Sequence, residues 1–338
     1  MRIPGRKQML FSLLVSLAFC GQALAFPVPD TVSEEIKPVI AAPPLPLWQK
    51  HPASMEEWKA MVENFEKTVS ASVPAFLQKM GVECEPSVMA GVPVFTLTPP
   101  SVAKGDEDKV LLYFHGGGYV LNGGLSGVRE AVFMAKESGY RIVCVDYRMT
   151  PFHPYPAAID DAIAVYGELL KTYRPGAIGV FGTSTGGGMT LILPLRARKD
   201  GLPLPGALGA GTSWSDLDKI GDSYFTNAGT DNVLTSYEGL LQDAVRAYAG
   251  DHDLKDPMLS PVYGDLSGFP PTILTSGTRD LFLSNTVRVH TKLRQAGVEA
   301  DLIVLEGLSH AQYYFVEDAP ETRFHFAELS RFFHRYLH

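Results

Sequence analysis

The chain has 338 residues, 46% hydrophobic and 20% charged, and its 29 Lys and Arg against 37 Asp and Glu give a net charge of −8. That length suits one large domain or two smaller ones, and an acidic balance without a basic cluster excludes a nucleic-acid partner, whose phosphates need grouped Lys and Arg. Three cysteines, Cys20, Cys84 and Cys144, are too few for a disulfide scaffold, and no Cys or Cys/His pair has the spacing of a metal site.

Residues 1–25 read as a secretory signal. Arg2, Arg6 and Lys7 make the basic start, Met9 to Cys20 the apolar core, and Ala23-Leu24-Ala25 the small residues before a cut. The apolar run is about a dozen residues where a spanning helix needs ~20, so stable membrane insertion is not expected once the signal is removed. Cleavage after Ala25 removes three cations and no acid, taking −8 to −11. The expected location is periplasmic or secreted. Of the two cysteines left, Cys144 lies in the apolar run Arg141-Ile142-Val143-Cys144-Val145 and is expected to be a core hydrophobe, not a disulfide partner of Cys84.

Residues 26–80 form an N-terminal arm and a helical segment. Pro38, Pro43, Pro44, Pro46 and Pro52 keep the arm extended. A helix then starts at Ser54, which forms a capping box with Glu57; Trp58, Met61, Val62, Phe65 and Val69 recur at helical spacing, as do Val73, Phe76, Leu77 and Met80. From 81 onward short β-branched and aromatic runs alternate with longer helical patterns, the signature of a mainly parallel sheet with crossover helices. Strands are predicted at 82–89, 92–98, 109–114, 141–145, 177–182, 207–211, 272–276 and 301–305. Helices are predicted at 127–138, 156–172, 185–199, 284–296 and 320–337. The gap between 211 and 272 far exceeds an ordinary connection, so it holds an insertion.

Two motifs carry chemistry. Gly182-Thr183-Ser184-Thr185-Gly186 has the form GxSxG between an apolar strand and a helix, the setting of a nucleophile elbow. His115-Gly116-Gly117-Gly118 follows the strand Val110 to Phe114. Its consecutive glycines let backbone N–H groups converge on a developing oxyanion. Roughly 0.2 chance matches are expected for the first pattern and about 0.008 for the second, so the second is the more specific. A phosphate cradle does not fit, because neither GxxxxGK[ST] nor GxGxxG is present. For the acid of a Ser, Asp/Glu, His order, Asp280 stands at the end of a predicted strand, with Asp216 and Asp218 as rivals in the insertion; His310 follows the last strand, whereas His325 and His334 fall in the C-terminal helix.

Together these features resemble the hormone-sensitive-lipase-like esterases of the α/β-hydrolase superfamily. Asp146-Tyr147-Arg148-Met149-Thr150-Pro151-Phe152-His153-Pro154-Tyr155-Pro156-Ala157-Ala158 is similar to that family's DYRLAPEHPFPAA segment, with Phe152 where Glu is usual, and the elbow is similar to its GTSAGG subgroup. The resemblance implies an eight-stranded, mostly parallel α/β-hydrolase domain over 81–338, with a cap built from the N-terminal helices and a second segment at about 213–250. It implies a nucleophile Ser184, an acid Asp280 and a base His310, with Gly117, Gly118 and Thr185 N–H groups as the oxyanion hole, and no cofactor or metal. The Glu that normally supports the oxyanion loop is missing, so its support must come from elsewhere. Under a cap, short-chain acyl esters from acetyl to hexanoyl are the expected substrates, with Tyr119, Trp214, Tyr224, Phe225 and Phe282 as expected pocket residues. A lactonase, amidase or acyltransferase would use the same triad; a non-catalytic binding protein on this fold would lack the His that position 310 carries. Oligomeric state is not legible.

Overall fold

The computed structural model describes residues 26–102 and 105–338; the expected signal, residues 1–25, lies outside them. Eight strands form one sheet: β1 (Glu83–Met89), β2 (Val92–Thr98), β3 (Val110–Phe114), β4 (Arg141–Val145), β5 (Ile178–Thr183), β6 (Ala207–Gly211), β7 (Thr272–Gly277) and β8 (Ala300–Leu305). Their order is β1-β2-β4-β3-β5-β6-β7-β8. A two-residue turn, Ala90-Gly91, forces β1 and β2 to be antiparallel, and β2 also runs antiparallel to β4. The remaining pairs are parallel because each connection is a crossover long enough for a helix. β3, β5, β6 and β7 are buried along their whole length. Covered on both faces, they read as short runs of aliphatic, aromatic and small residues and not as polar–apolar alternation.

The helices are α1 (Lys37–Ile40), α2 (Met55–Ser70), α3 (Val73–Met80), α4 (Arg129–Ser138), α5 (Ala157–Leu169), α6 (Thr185–Lys199), α7 (Ser223–Thr226), α8 (Leu240–Ala249), α9 (Leu283–Gln295) and α10 (Pro320–Tyr336). Strand alternation divides the core between the two sheet faces. Val110, Leu112, Ile178 and Val180 face α5 and α6 on one side; Leu111, Tyr113, Ile142, Cys144 and Phe181 face α4 and α10 on the other. Cys84 and Cys144 are free thiols on β1 and β4, with β2 between them.

Residues 54–80 are two helices. At the start of α2 the Ser54 hydroxyl accepts from the Glu57 N–H at 3.2 Å, and the Glu57 carboxylate accepts from the Ala53 N–H at 2.7 Å. α3 begins with Pro74 in its first turn, where a missing N–H costs nothing. The insertion between β6 and β7 contains α7, α8 and long loops. It meets the arm directly: the Leu45 N–H donates to the Asn232 carbonyl at 2.9 Å, and a Cβ on Gly239 would lie 2.5 Å from the Trp48 carbonyl oxygen. Arm, α2 and insertion therefore meet beside the C-terminal ends of β3 and β5, where parallel-sheet proteins place their chemistry.

Candidate active site

Ser184 sits between β5 and α6 with φ 63° and ψ −121°, a conformation L residues avoid. Such strain persists only where the surroundings over-determine it. Here they do: the Ser184 N–H donates to Gly211 O at 2.9 Å, and its carbonyl accepts from Trp214 N at 2.9 Å and Gly188 N at 3.0 Å. The flanking glycines are required by close approach to β3. A Cβ on Gly186 would lie 1.9 Å from Phe114 O, and one on Gly182 would lie 2.3 Å from the same atom.

Asp280 and His310 follow β7 and β8. His310 Nδ1 and Asp280 Oδ1 are 2.9 Å apart, and both residues are almost fully buried. Asp280 is held by the Ser276 hydroxyl on Oδ2 at 2.6 Å and by the Phe282 N–H on Oδ1 at 2.9 Å. The Phe282 ring stands edge-on to the His310 imidazole, with centroids 4.9 Å apart. Asp216, the rival acid, is engaged elsewhere by Arg288 at 2.7 Å and by the Tyr263 hydroxyl at 2.8 Å. His325 is buried in α10 against Tyr313, and burial pushes its pKa down to about 3.

The glycine loop after β3 turns back on itself: Gly117 has φ 122°, and its carbonyl accepts from Leu121 N at 2.9 Å. A Cβ there would lie 2.3 Å from Leu121 O, so only glycine fits. The support expected from a Glu at position 152 comes from other residues. Phe152 itself points outward, about half exposed. Tyr147 stacks on His115 at 4.1 Å and donates to its carbonyl at 2.7 Å, while Asn122 Nδ2 donates to Gly116 O at 3.1 Å. Further along, Gly123 N donates to Glu66 Oε1 of α2 at 2.9 Å, and Gly124 N to Asp146 Oδ1 at 2.8 Å.

A cavity of about 220 Å³ joins Ser184, His310, Gly116 and Gly117. Leu45, Leu47 and Trp48 of the arm, Phe65 and Val69 of α2, and Val233 of the insertion form one part of its wall. Tyr113, Glu130 and Tyr314 form another. Glu130 is buried and accepts from Thr183 Oγ1 at 2.6 Å and Tyr113 OH at 3.1 Å. Burial pushes its pKa up to about 7 against those two hydrogen bonds.

The family described as the alpha/beta hydrolase fold matches residues 111–314, more than half of the chain. Esterase E25 has a crystal structure that superposes with a TM-score of 0.89 at 43% identity, over 93% of this chain and 97% of that one. A hormone-sensitive-lipase homologue, EstE7, from a metagenome library superposes with a TM-score of 0.72 at 28% identity, over 82% of this chain and 98% of that one. The putative acetyl-hydrolase LipR of Mycobacterium tuberculosis is 32% identical over 252 residues, 74% of this chain and 80% of LipR. The chain belongs to the hormone-sensitive-lipase-like esterases of the α/β-hydrolase fold. It is a carboxylic ester hydrolase.

In this esterase the five aromatics expected to line the pocket are placed elsewhere; none is among the described residues that form the cavity wall. Tyr119 stacks on Tyr248 at 3.7 Å, behind the glycine loop. Trp214 stacks on Phe282 at 5.3 Å, and Tyr224 packs tilted against the same ring at 5.8 Å. These three form a buried wedge behind Asp280 and His310, so they support the loops instead of touching the cavity. Phe225 is 64% exposed and lies under the Lys219 ammonium. The wall instead uses residues that the sequence pattern assigns to an arm and a helix face. Glu130, from α4, carries no sequence signal because it falls in an ordinary amphipathic pattern. Asp231 carries none either: it is fully buried beside Asp280 and His310, in a part of the insertion without a motif.

Proposed function

We propose that this ester hydrolase cleaves short-chain acyl esters through a Ser184-His310-Asp280 triad and an acyl-enzyme. His310 Nε2 takes the hydroxyl proton of Ser184 as Oγ attacks the ester carbonyl, and Asp280 keeps Nδ1–H in place and stabilises the imidazolium. The backbone N–H groups of Gly117, Gly118 and Thr185 receive the oxyanion, each worth roughly 10²–10³ in rate. His310 then protonates the leaving alcohol, and a water activated by the same imidazole releases the acid. No cofactor enters the sequence. The observation that carries this reading is the 2.9 Å contact of His310 Nδ1 with the buried Asp280, with His310 and the strained Ser184 lining the same cavity.

The cavity size supports a short acyl chain. About 220 Å³ is on the scale of the roughly 150 Å³ cavity that holds one benzene ring, room for an acyl group of a few carbons and not for a long lipid chain. The decisive experiment is fluorophosphonate labelling with the adduct located by mass spectrometry, combined with an acyl panel of p-nitrophenyl esters, lactones and anilides. Labelling at Ser184 that disappears in His310→Ala, with butyrate or hexanoate esters turned over fastest, is the expected result. An active but unlabelled protein refutes the triad, and faster anilide or lactone turnover refutes the ester preference. We propose also that residues 1–25 direct export, and that arm, α2 and insertion act as a cap. A mature protein beginning at Phe26 in the periplasm or medium is the expected product.

A further inference from the structure

We propose that Asp231, seconded by Asn227, is a positioning residue for the hydrolysis: it joins the loop that carries Asp280 to the loop that carries His310. The proposal rests on the triad reading above. Asp231 is fully buried in the insertion, and its carboxylate faces four backbone N–H groups. Oδ1 accepts from Val233 at 2.9 Å and Leu234 at 3.0 Å, which fixes the carboxylate in its own turn. Oδ2 accepts from Leu281 at 2.8 Å, the residue after Asp280, and is 3.4 Å from the N–H of His310 itself. One side chain thus spans both loops, at main-chain positions adjacent to or within the triad.

Neighbouring residues extend the same connection. Asn227 Nδ2 donates to Asp280 O at 2.8 Å and Thr278 O at 3.2 Å. Asn232 N donates to the Ser309 hydroxyl at 3.3 Å, its Nδ2 to the arm carbonyls of Val39 and Ala42, and its Oδ1 accepts from Gln312 Nε2 at 2.7 Å. The segment 227–232 of the insertion therefore grips both loops by their main chain, while the side chains of the acid and the base stay free to face each other.

A plain structural role would be served by any hydrogen-bonding group, yet both oxygens face donors. Only a group that accepts at both atoms satisfies this, because an amide would turn its NH₂ toward one pair of N–H groups. The charge also matters. The titratable groups facing Asp231 are Asp280 and His310. A buried carboxylate beside Asp280 is costly, and it favours the positive form of His310 that arises during acyl transfer. Burial and then the Asp280 charge push the Asp231 pKa up to about 6, with His310 acting in the opposite direction.

The test is the full chain with Asp231→Asn and, separately, Asn227→Ala, each checked for fold by circular dichroism and thermal melting. Displacement of catalytic groups by about 1 Å costs on the order of 10²-fold. Asp231→Asn is expected to lower kcat roughly ten- to hundredfold with KM little changed. It should also move the acid limb of kcat/KM to lower pH, because the negative charge that favours the imidazolium during acyl transfer is gone. Asn227→Ala, at a half-exposed site, should lower kcat several-fold without moving that limb. A lower melting temperature with unchanged kcat and unchanged acid limb in Asp231→Asn overturns the proposal. If Asp231→Asn does not fold, wild-type kcat in Asn227→Ala overturns it. Fluorophosphonate separates the two readings: failure of wild type to label at Ser184 refutes the triad, whereas normal labelling with unaffected variants refutes only the positioning role.

Discussion

Gly186→Ala and Gly167→Ala make the same chemical change with opposite expected outcomes. At Gly186 the added Cβ would lie 1.9 Å from Phe114 O, 2.7 Å from Phe114 C and 2.9 Å from His115 O, all backbone atoms of β3 and the loop after it. No side chain can rotate away, so α6 must move off β3 by more than about 1 Å to restore an ordinary contact. Overpacking in a core costs about 1–3 kcal/mol when side chains can yield, and the rigid strand places this site at or above the top of that range. The same shift carries Ser184, one residue before the helix starts, away from His310 and the glycine loop. A misplacement of about 1 Å is worth roughly 10²-fold in rate. A Cβ added to Gly167, inside α5, would meet nothing within 4 Å, so Ala there should stabilise by about 0.5–1 kcal/mol. Urea denaturation at pH 7 and p-nitrophenyl butyrate kinetics on both variants provide the comparison. Wild-type stability and kcat in Gly186→Ala would refute the idea that close approach fixes the elbow. Lost stability with intact kcat would show that the helix position does not set the serine.

Three further substitutions test the rest of the site. Asp280→Asn leaves the volume intact but presents the wrong hydrogen-bond partner to His310 Nδ1, so kcat should fall roughly 10⁴-fold with KM nearly constant; a loss under tenfold assigns the acid to another residue. Glu130 has its pKa raised in the fold from 4.5 to about 7. The folded state therefore holds a proton that the unfolded state has released, and stability declines as pH rises from about 4.5 to about 7. At 1.36 kcal/mol per pH unit the decline is at most about 3 kcal/mol. Glu130→Gln should flatten it in denaturation curves between pH 5 and 8, and an unchanged slope would contradict the assignment. Trp48→Ala opens the arm side of the cavity. Each methylene newly buried is worth about 0.8 kcal/mol, close to fourfold in kcat/KM, so octanoyl should gain on butyryl; an unchanged acyl-length profile would place the acyl chain elsewhere.

The central strands β3, β5 and β7 were legible because they are covered on both faces and so read as short runs rich in aliphatic, β-branched and aromatic residues between helical stretches. The elbow was legible because the close approach to Phe114 O tolerates glycine alone at 182 and 186. The order β2-β4-β3 was not: pairing across the sheet depends on contacts far apart in sequence, which no local pattern records. The pocket wall was the least legible part. Trp214, Tyr224 and Phe282 have the composition of a binding pocket, but burial beside Asp280 and His310 and exposure to the cavity differ only in direction. Leu45, Leu47 and Trp48 sit among prolines, which signal an extended chain and do not say what that chain covers.

The same residues show why the segments outside the sheet cannot be treated as a passive cover. Glu66 of α2 accepts from Gly123 N and so steadies the glycine loop; the Trp48 ring would lie 3.4 Å from a Cβ on Gly118. Asp231 reaches the backbone of both loops that carry Asp280 and His310. Each of the three contacts reaches a loop assigned to the reaction, and each comes from a different part of the arm, α2 or the insertion. Substitutions that loosen these segments should therefore alter kcat as well as substrate choice. A device that only excluded water and selected substrates would change KM and acyl preference while leaving kcat on a small ester intact, and that difference is measurable in Asp231→Asn with acetate esters.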